Sequence, residues 1–138
     1  MDLAAETRIA HPLDPLSLAE CGEAARLARA HWPAPGLRFA MLRLEEPPKA
    51  EVLAHRPGAP CRREAFVLAL DPATGETREL VFDLAAGALR RETRLPFEAP
   101  PYGQAPVLLE DFMAVERIVK ADPAWRAAVM RRGVAEHE

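Results

Sequence analysis

The residues of this chain that could do chemistry are few and far apart. Its four histidines, His11, His31, His55 and His137, show no HxH, HxxxH or HExxH spacing that would set two imidazoles on one metal ion. His11, His55 and His137 read as lone surface side chains, and His31 falls near the end of a helix, where a cation is mildly favoured. The two cysteines, Cys21 and Cys61, have no second thiol near either, which is neither a disulfide framework nor a zinc pattern and reads as a pair of reduced, cytoplasmic thiols. Cys61 lies beside Arg62 and Arg63, whose guanidiniums would favour a thiolate, but no positioned base accompanies it. Ser17 is the sole serine, and helix capping accounts for it; no GxSxG, GxxxxGK[ST] or GxGxxG is present. Adjacent acids such as Glu45-Glu46 and Glu110-Asp111 point to different sides of any strand or helix, so they read as solvated charge rather than as an acid/base pair. The expectation is a chain with no catalytic, cofactor-binding or metal-ligating residue of its own.

The elements that would carry these residues fit one small domain and an appendage. At 138 residues, with 49% hydrophobic and 28% charged, the chain can bury a core. Its net charge of -3, with the basic residues scattered, argues against nucleic acid as a partner. No window approaches the roughly 18 apolar residues of a membrane span. Residues 1–16 read as an extended arm. Ser17 followed by Glu20 forms a capping box, and Leu18, Cys21, Ala25, Ala28 and Trp32 then recur at helical spacing until Pro33, Pro35 and Gly36 stop the run.

Four strand-like segments follow. Residues 37–45 are apolar on both parities, which suggests burial on more than one side. A helical turn fits residues 50–53, and residues 63–71 form a second apolar strand. Asp71-Pro72-Ala73-Thr74-Gly75 reads as a hairpin loop. Residues 76–84 then alternate, with Leu80, Phe82 and Leu84 on one face and Glu79, Val81 and Asp83 on a wet one. Ala86-Gly87 turns the chain into a last strand at residues 88–95. The pattern predicts an α+β roll, one helix packed on a four-stranded antiparallel sheet.

Residues 97–106 are proline-rich and read as a linker. Beyond it, apolar residues at helical spacing, broken at Asp122-Pro123 and stopped by Gly133, predict a helical hairpin too small to bury both of its apolar sides. Leu109, Phe112, Val115, Ile118, Val119, Trp125, Val129 and Met130 are therefore the candidate interface.

Several stretches together carry a family resemblance. They are His11-Pro12-Leu13-Asp14-Pro15-Leu16, Arg38-Phe39 leading into Leu44-Glu45-Glu46-Pro47-Pro48-Lys49, and Arg63-Glu64-Ala65 leading into Asp71-Pro72-Ala73-Thr74-Gly75-Glu76-Thr77. After them come Pro100-Pro101, Glu110-Asp111-Phe112-Met113, and Val119-Lys120-Ala121-Asp122-Pro123-Ala124-Trp125 with Arg132-Gly133-Val134. In order and spacing this resembles the N-terminal region of bacterial copper amine oxidases, the topaquinone-dependent primary-amine oxidases. The resemblance implies that residues 17–96 form the first of two small, cystatin-like α+β domains and that residues 107–138 open a second. It implies a family reaction, oxidative deamination of a primary amine to an aldehyde with release of ammonia and hydrogen peroxide, and it places copper and topaquinone in a large β-sandwich that these residues do not include. None of the family's functional residues carries over: Tyr102 lies in Pro-Pro-Tyr-Gly-Gln rather than an Asn-Tyr-Asp/Glu setting, and no HxH pair is present. The expectation is thus a non-catalytic domain or subunit, inactive alone, that contacts an amine oxidase catalytic chain. The alternative is a stand-alone cystatin-like binding or regulatory module that pairs with itself through the same helices.

Overall fold

The computed structural model describes residues 9–100 and 102–134. Ser17 starts the first helix as its sequence signature requires. The N–H of Glu20 donates to Ser17 Oγ at 3.2 Å while the N–H of Ser17 donates to Glu20 Oε2 at 2.8 Å, so two otherwise unpartnered amides are satisfied reciprocally. Helix α1 (Leu18–His31) ends before Pro33, and Gly36, at φ +73°, turns the chain into the sheet. Strands β1 (Arg38–Glu45), β2 (Glu64–Leu70), β3 (Thr77–Asp83) and β4 (Ala88–Leu95) form a four-stranded antiparallel meander in sequence order. Helix α2 (Lys49–Ala54) occupies the connection from β1 to β2. The β2–β3 turn is built by Asp71, whose carboxylate accepts the N–H of Ala73 at 2.9 Å and the hydroxyl of Thr74 at 2.8 Å, with Gly75 at φ +74°.

The core lies between α1 and one sheet face. Ala24, Leu27, Ala28 and Trp32 pack with Ala65, Val67, Ala69, Leu80 and Phe82, and Leu37 closes one end. Alanines on both sides let helix and sheet approach closely. Of the α1 row expected to face the sheet, Ala28 and Trp32 are buried and Cys21 and Ala25 half-buried, but Leu18 is 81% exposed, and Ala24 and Leu27 join the contact in its place. Its first turn is instead held by a charged network described below, so Leu18 is left facing solvent.

The second sheet face also departs from expectation, because it is not wet throughout. Val81 and Phe66, opposite each other in register, are buried, and so is Asp83. The guanidinium of Arg43 lies over the Phe66 ring, 4.3 Å from its centre, and Arg91 stands opposite Val81 on β4. The Arg43 head thus covers the Phe66 ring on this face by a cation–π contact. Thr77 on β3 is fully buried, and its hydroxyl has no partner among the described residues. Strand β1 is an edge, and none of its residues is fully buried.

A first compact unit ends at Ala105 and a second begins at Pro106. The segment expected as a linker therefore contributes its residues through Ala105 to the first unit. The N–H of Gly103 donates to Pro96 O at 2.8 Å, and Ala105 is buried. The second unit holds α3 (Leu109–Ala121) and α4 (Pro123–Met130), which touch each other. Asp122 separates them, accepting the N–H of Trp125 at 2.7 Å as the cap of α4, and Pro123 takes the first helical position, where a missing N–H costs nothing.

Candidate functional site

Residues with chemical potential in the first unit are drawn into its structure. Arg63, on the chain entering β2, is buried. Its Nε donates to Glu20 Oε1 at 2.7 Å and its Nη2 to Glu20 Oε2 at 3.1 Å, while Nη1 reaches Asp14 O at 2.8 Å and Nη2 reaches Pro15 O at 3.0 Å. One guanidinium thus fastens the arm before α1, the first turn of α1 and β2. Burial pushes the Glu20 carboxyl upward, but the Arg63 hydrogen bonds and those from the Ser17 N–H and hydroxyl outweigh it, and the net shift is downward. Asp14 is also held below its ordinary range, first by the N–H groups of Ala10 and His11.

A second cluster ties the end of α1 to the sheet. His31 Nε2 lies 3.0 Å from Glu92 Oε2, Arg78 Nη1 donates to Glu92 Oε1 at 2.9 Å, and the Arg78 guanidinium stacks over Trp32 at 4.1 Å from the ring centre. The His31 hydrogen bond leads the effects that keep Glu92 below its usual carboxylate range. Asp83 is lowered by the N–H of Ala86 and by Arg90, with which it is paired.

The histidines are less isolated than their spacing suggests. His11 and His55 meet edge to face with ring centres 5.4 Å apart. Each is committed to backbone: His11 Nδ1 accepts the N–H of Leu13 at 3.1 Å, and His55 Nε2, facing a carbonyl that can only accept, donates to Ala10 O at 3.1 Å. His55 and Cys61 line a cavity of about 300 Å³ with the buried prolines Pro12 and Pro47, yet the nearest polar partner of the Cys61 sulfur is Ala59 O at 3.9 Å. His137 lies outside the described residues. Among the described residues no group of three or more His, Cys, Asp and Glu could hold a metal ion. Tyr102 is 73% exposed, and with no such donor set among them the described residues do not fit a copper site.

The expected interface residues all lie on α3 and α4. Leu109, Phe112, Val115, Ile118, Trp125 and Met130 are exposed, and Met113 and Val107 join them. Val119 and Val129 are half-buried. Neither helix has a fully buried residue. What sequence reasoning missed was the Asp14–Glu20–Arg63 network. The sequence places Arg63 beside Cys61 and at the start of a strand, but its partners lie 43 to 49 positions away, beyond any local pattern. No helix among the described residues is long and apolar enough to cross a membrane.

A family model described as the AGAO-like N2 domain matches residues 19–92, from the first turn of α1 into β4. The chain is 39% identical over 125 residues to a histamine oxidase of Arthrobacter globiformis, an alignment covering 90% of this chain and 18% of that protein. It is 34% identical over 127 residues to a primary amine oxidase of Arthrobacter sp. (strain P1), covering 91% of this chain and again 18% of the relative. In fold it resembles the solved copper-containing benzylamine oxidase of Hansenula polymorpha, with a TM-score of 0.75 at 19% identity over 92% of this chain and 20% of that one. The chain spans less than a fifth of the length of these two curated relatives.

Proposed function

The chain belongs to the AGAO-like N2 domain family, and from that premise we propose that it is a non-catalytic N-terminal domain or subunit of a copper amine oxidase, acting by protein–protein contact. The observation that carries the proposal is the apolar row on α3 and α4. Leu109 is 76% exposed, Phe112 64% and Ile118 63%, and an unpartnered row of this kind is what contact surfaces are made of. In this reading α3 and α4 open a second small domain, and the surface that covers them belongs to an amine oxidase catalytic chain. Copper and topaquinone reside on that chain, as does the oxidative deamination of a primary amine to aldehyde, ammonia and hydrogen peroxide. The two free, half-buried thiols support a reducing, cytoplasmic setting.

Mixing the purified chain with a copper amine oxidase catalytic chain from the same source is expected to give a complex by size-exclusion chromatography at about 10 μM of each. Absence of any complex at that concentration counts against the subunit reading. A homodimer by light scattering, abolished by Phe112→Glu, would instead support a stand-alone cystatin-like module. A peroxide-coupled amine assay with added copper tests the non-catalytic claim directly, for turnover by this chain alone overturns it.

A further inference from the structure

A cavity of about 590 Å³ lies beside the β2–β3 turn, where the chain leaves β4. That volume falls in the range of roughly 300–1,000 Å³ typical of small-molecule sites. Leu95 and Phe97 supply apolar lining, while Thr74, Glu76, Arg94 and Glu98 supply polar groups. The wall that carries Phe97 and Glu98 is tied down at two points. Phe97 packs on the turn so closely that a Cβ at Gly75 would sit 3.5 Å from Phe97 Cε1. Gly103 hydrogen-bonds Pro96 O at 2.8 Å and approaches Leu95 so nearly that a Cβ there would lie 2.6 Å from Leu95 Cβ.

The charges around the cavity are unequally compensated. Glu76 Oε1 accepts from Arg78 Nε at 2.7 Å and lies 3.7 Å from Arg94 Nε, so Arg94 and Glu76 offset each other across the rim. Thr74 is fully engaged, donating to Asp71 and accepting the N–H of Glu76 at 3.2 Å. Glu98 has no ion pair among the described residues, and beside it Phe97 is 50% exposed. A carboxylate and an exposed aromatic ring that line the same cavity each attract positive charge, one by Coulomb attraction and the other through the negative face of the ring. We propose that this cavity binds a small organic monocation with a flat apolar body. Its ammonium lies toward Glu98 and the Phe97 face, and its body covers Leu95. An anion of the same shape meets Glu98 with the wrong sign and finds Arg94 already facing Glu76.

The probe is benzyltrimethylammonium, titrated into the isotope-labelled 138-residue chain while backbone amide shifts are followed, with phenylacetate as the anion of matching shape. The expected result is a saturable shift centred on Gly75, Phe97 and Glu98, in the millimolar range. Glu98→Gln and Phe97→Leu should each weaken it about threefold and together about tenfold. Both side chains are exposed, so the variants should keep the parent far-UV spectrum; if Phe97→Leu does not, Glu98→Gln carries the test. The proposal is overturned by any of three results: no saturable shift, phenylacetate binding as tightly as the cation, or affinity unchanged in Glu98→Gln.

Discussion

Replacing Arg63 by methionine removes the one side chain that joins the arm, the first turn of α1 and β2. Four hydrogen bonds go with it, two of them to the Glu20 carboxylate at 2.7 and 3.1 Å. The carboxylate stays behind with its side chain only 15% exposed and no cation to face, a situation that typically costs about 3–5 kcal/mol. Against a total stability of about 5–15 kcal/mol for a small domain, that is a large fraction. With a urea dependence of about 1–3 kcal/mol/M, the midpoint should fall by roughly 2 M. The assay is urea unfolding followed by the fluorescence of Trp32, in a Trp125→Phe background so that the signal comes from the first unit alone. The companion measurement is the double substitution Arg63→Met with Glu20→Met. Removing both charges leaves no buried ion unpaired, so the double variant should be less destabilised than the sum of the two singles. A loss below about 1 kcal/mol for Arg63→Met, or strict additivity in the double variant, would refute the view that this network fixes the first unit. The network is also acid-sensitive. Because the folded Glu20 pKa is lowered, its stabilisation is fully present above the ordinary carboxylate range and is lost as pH falls through the folded value.

Four further outcomes are expected. The folded Glu92 pKa is depressed as well, first by His31, so melting temperature should fall as pH drops through that lowered value, and Glu92→Gln should flatten this acid limb below the ordinary carboxylate range. Gly103→Ala places a Cβ 2.6 Å from Leu95 Cβ and 3.3 Å from its Cα, and should cost about 1–3 kcal/mol in urea unfolding, with shifts concentrated near Pro96. Thr77→Val replaces a fully buried hydroxyl that has no partner among the described residues with a methyl group of similar shape, and should raise stability by about 1 kcal/mol; a decrease would mean the hydroxyl is bonded. Phe112→Glu with Ile118→Glu should leave the Trp32 unfolding transition unchanged while abolishing any complex, because both side chains are more than half exposed.

Features encoded by neighbours in sequence were legible. The capping box at Ser17 and Glu20, the Asp71 turn and the break at Asp122-Pro123 each depend on groups within about four positions of one another, and each forms as its residue types require. Strands β3 and β4 were legible from alternation and β1 and β2 from their apolar content, but which face closes was not, and β1, expected to be buried on more than one side, has no fully buried residue. Periodicity placed Leu18 on the buried side of α1, whereas contact with the sheet begins at Ala24, because the first turn is held by Arg63 instead of by packing. Val81 was assigned to a wet face on its parity with Glu79 and Asp83. Its burial depends on Phe66 and Arg91 standing opposite, a matter of register that one strand's sequence does not contain. The His11–His55 contact and the attachment of Gly103 and Ala105 to the first unit escaped for the same reason. A proline-rich composition signals the absence of regular structure, not the absence of attachment.

The distribution of charge in the first unit bears on how the chain acts. Glu20 with Arg63, His31 with Glu92 and Arg78, and Asp83 with Arg90 all bind one element of the fold to another. Groups so committed are poor acids, bases or ligands, since using them would loosen the unit that positions them. The α3 and α4 helices invert that balance. They have no fully buried residue, and large apolar side chains remain in water along both. The first unit is thus cross-tied by ion pairs between its elements, while the helical hairpin keeps large apolar side chains exposed. Damage to the first unit and damage to the hairpin should therefore be separable: Arg63→Met should lower the urea midpoint of the first unit without altering the hairpin's exposed apolar side chains, and Phe112→Glu should change those while leaving that midpoint where it was.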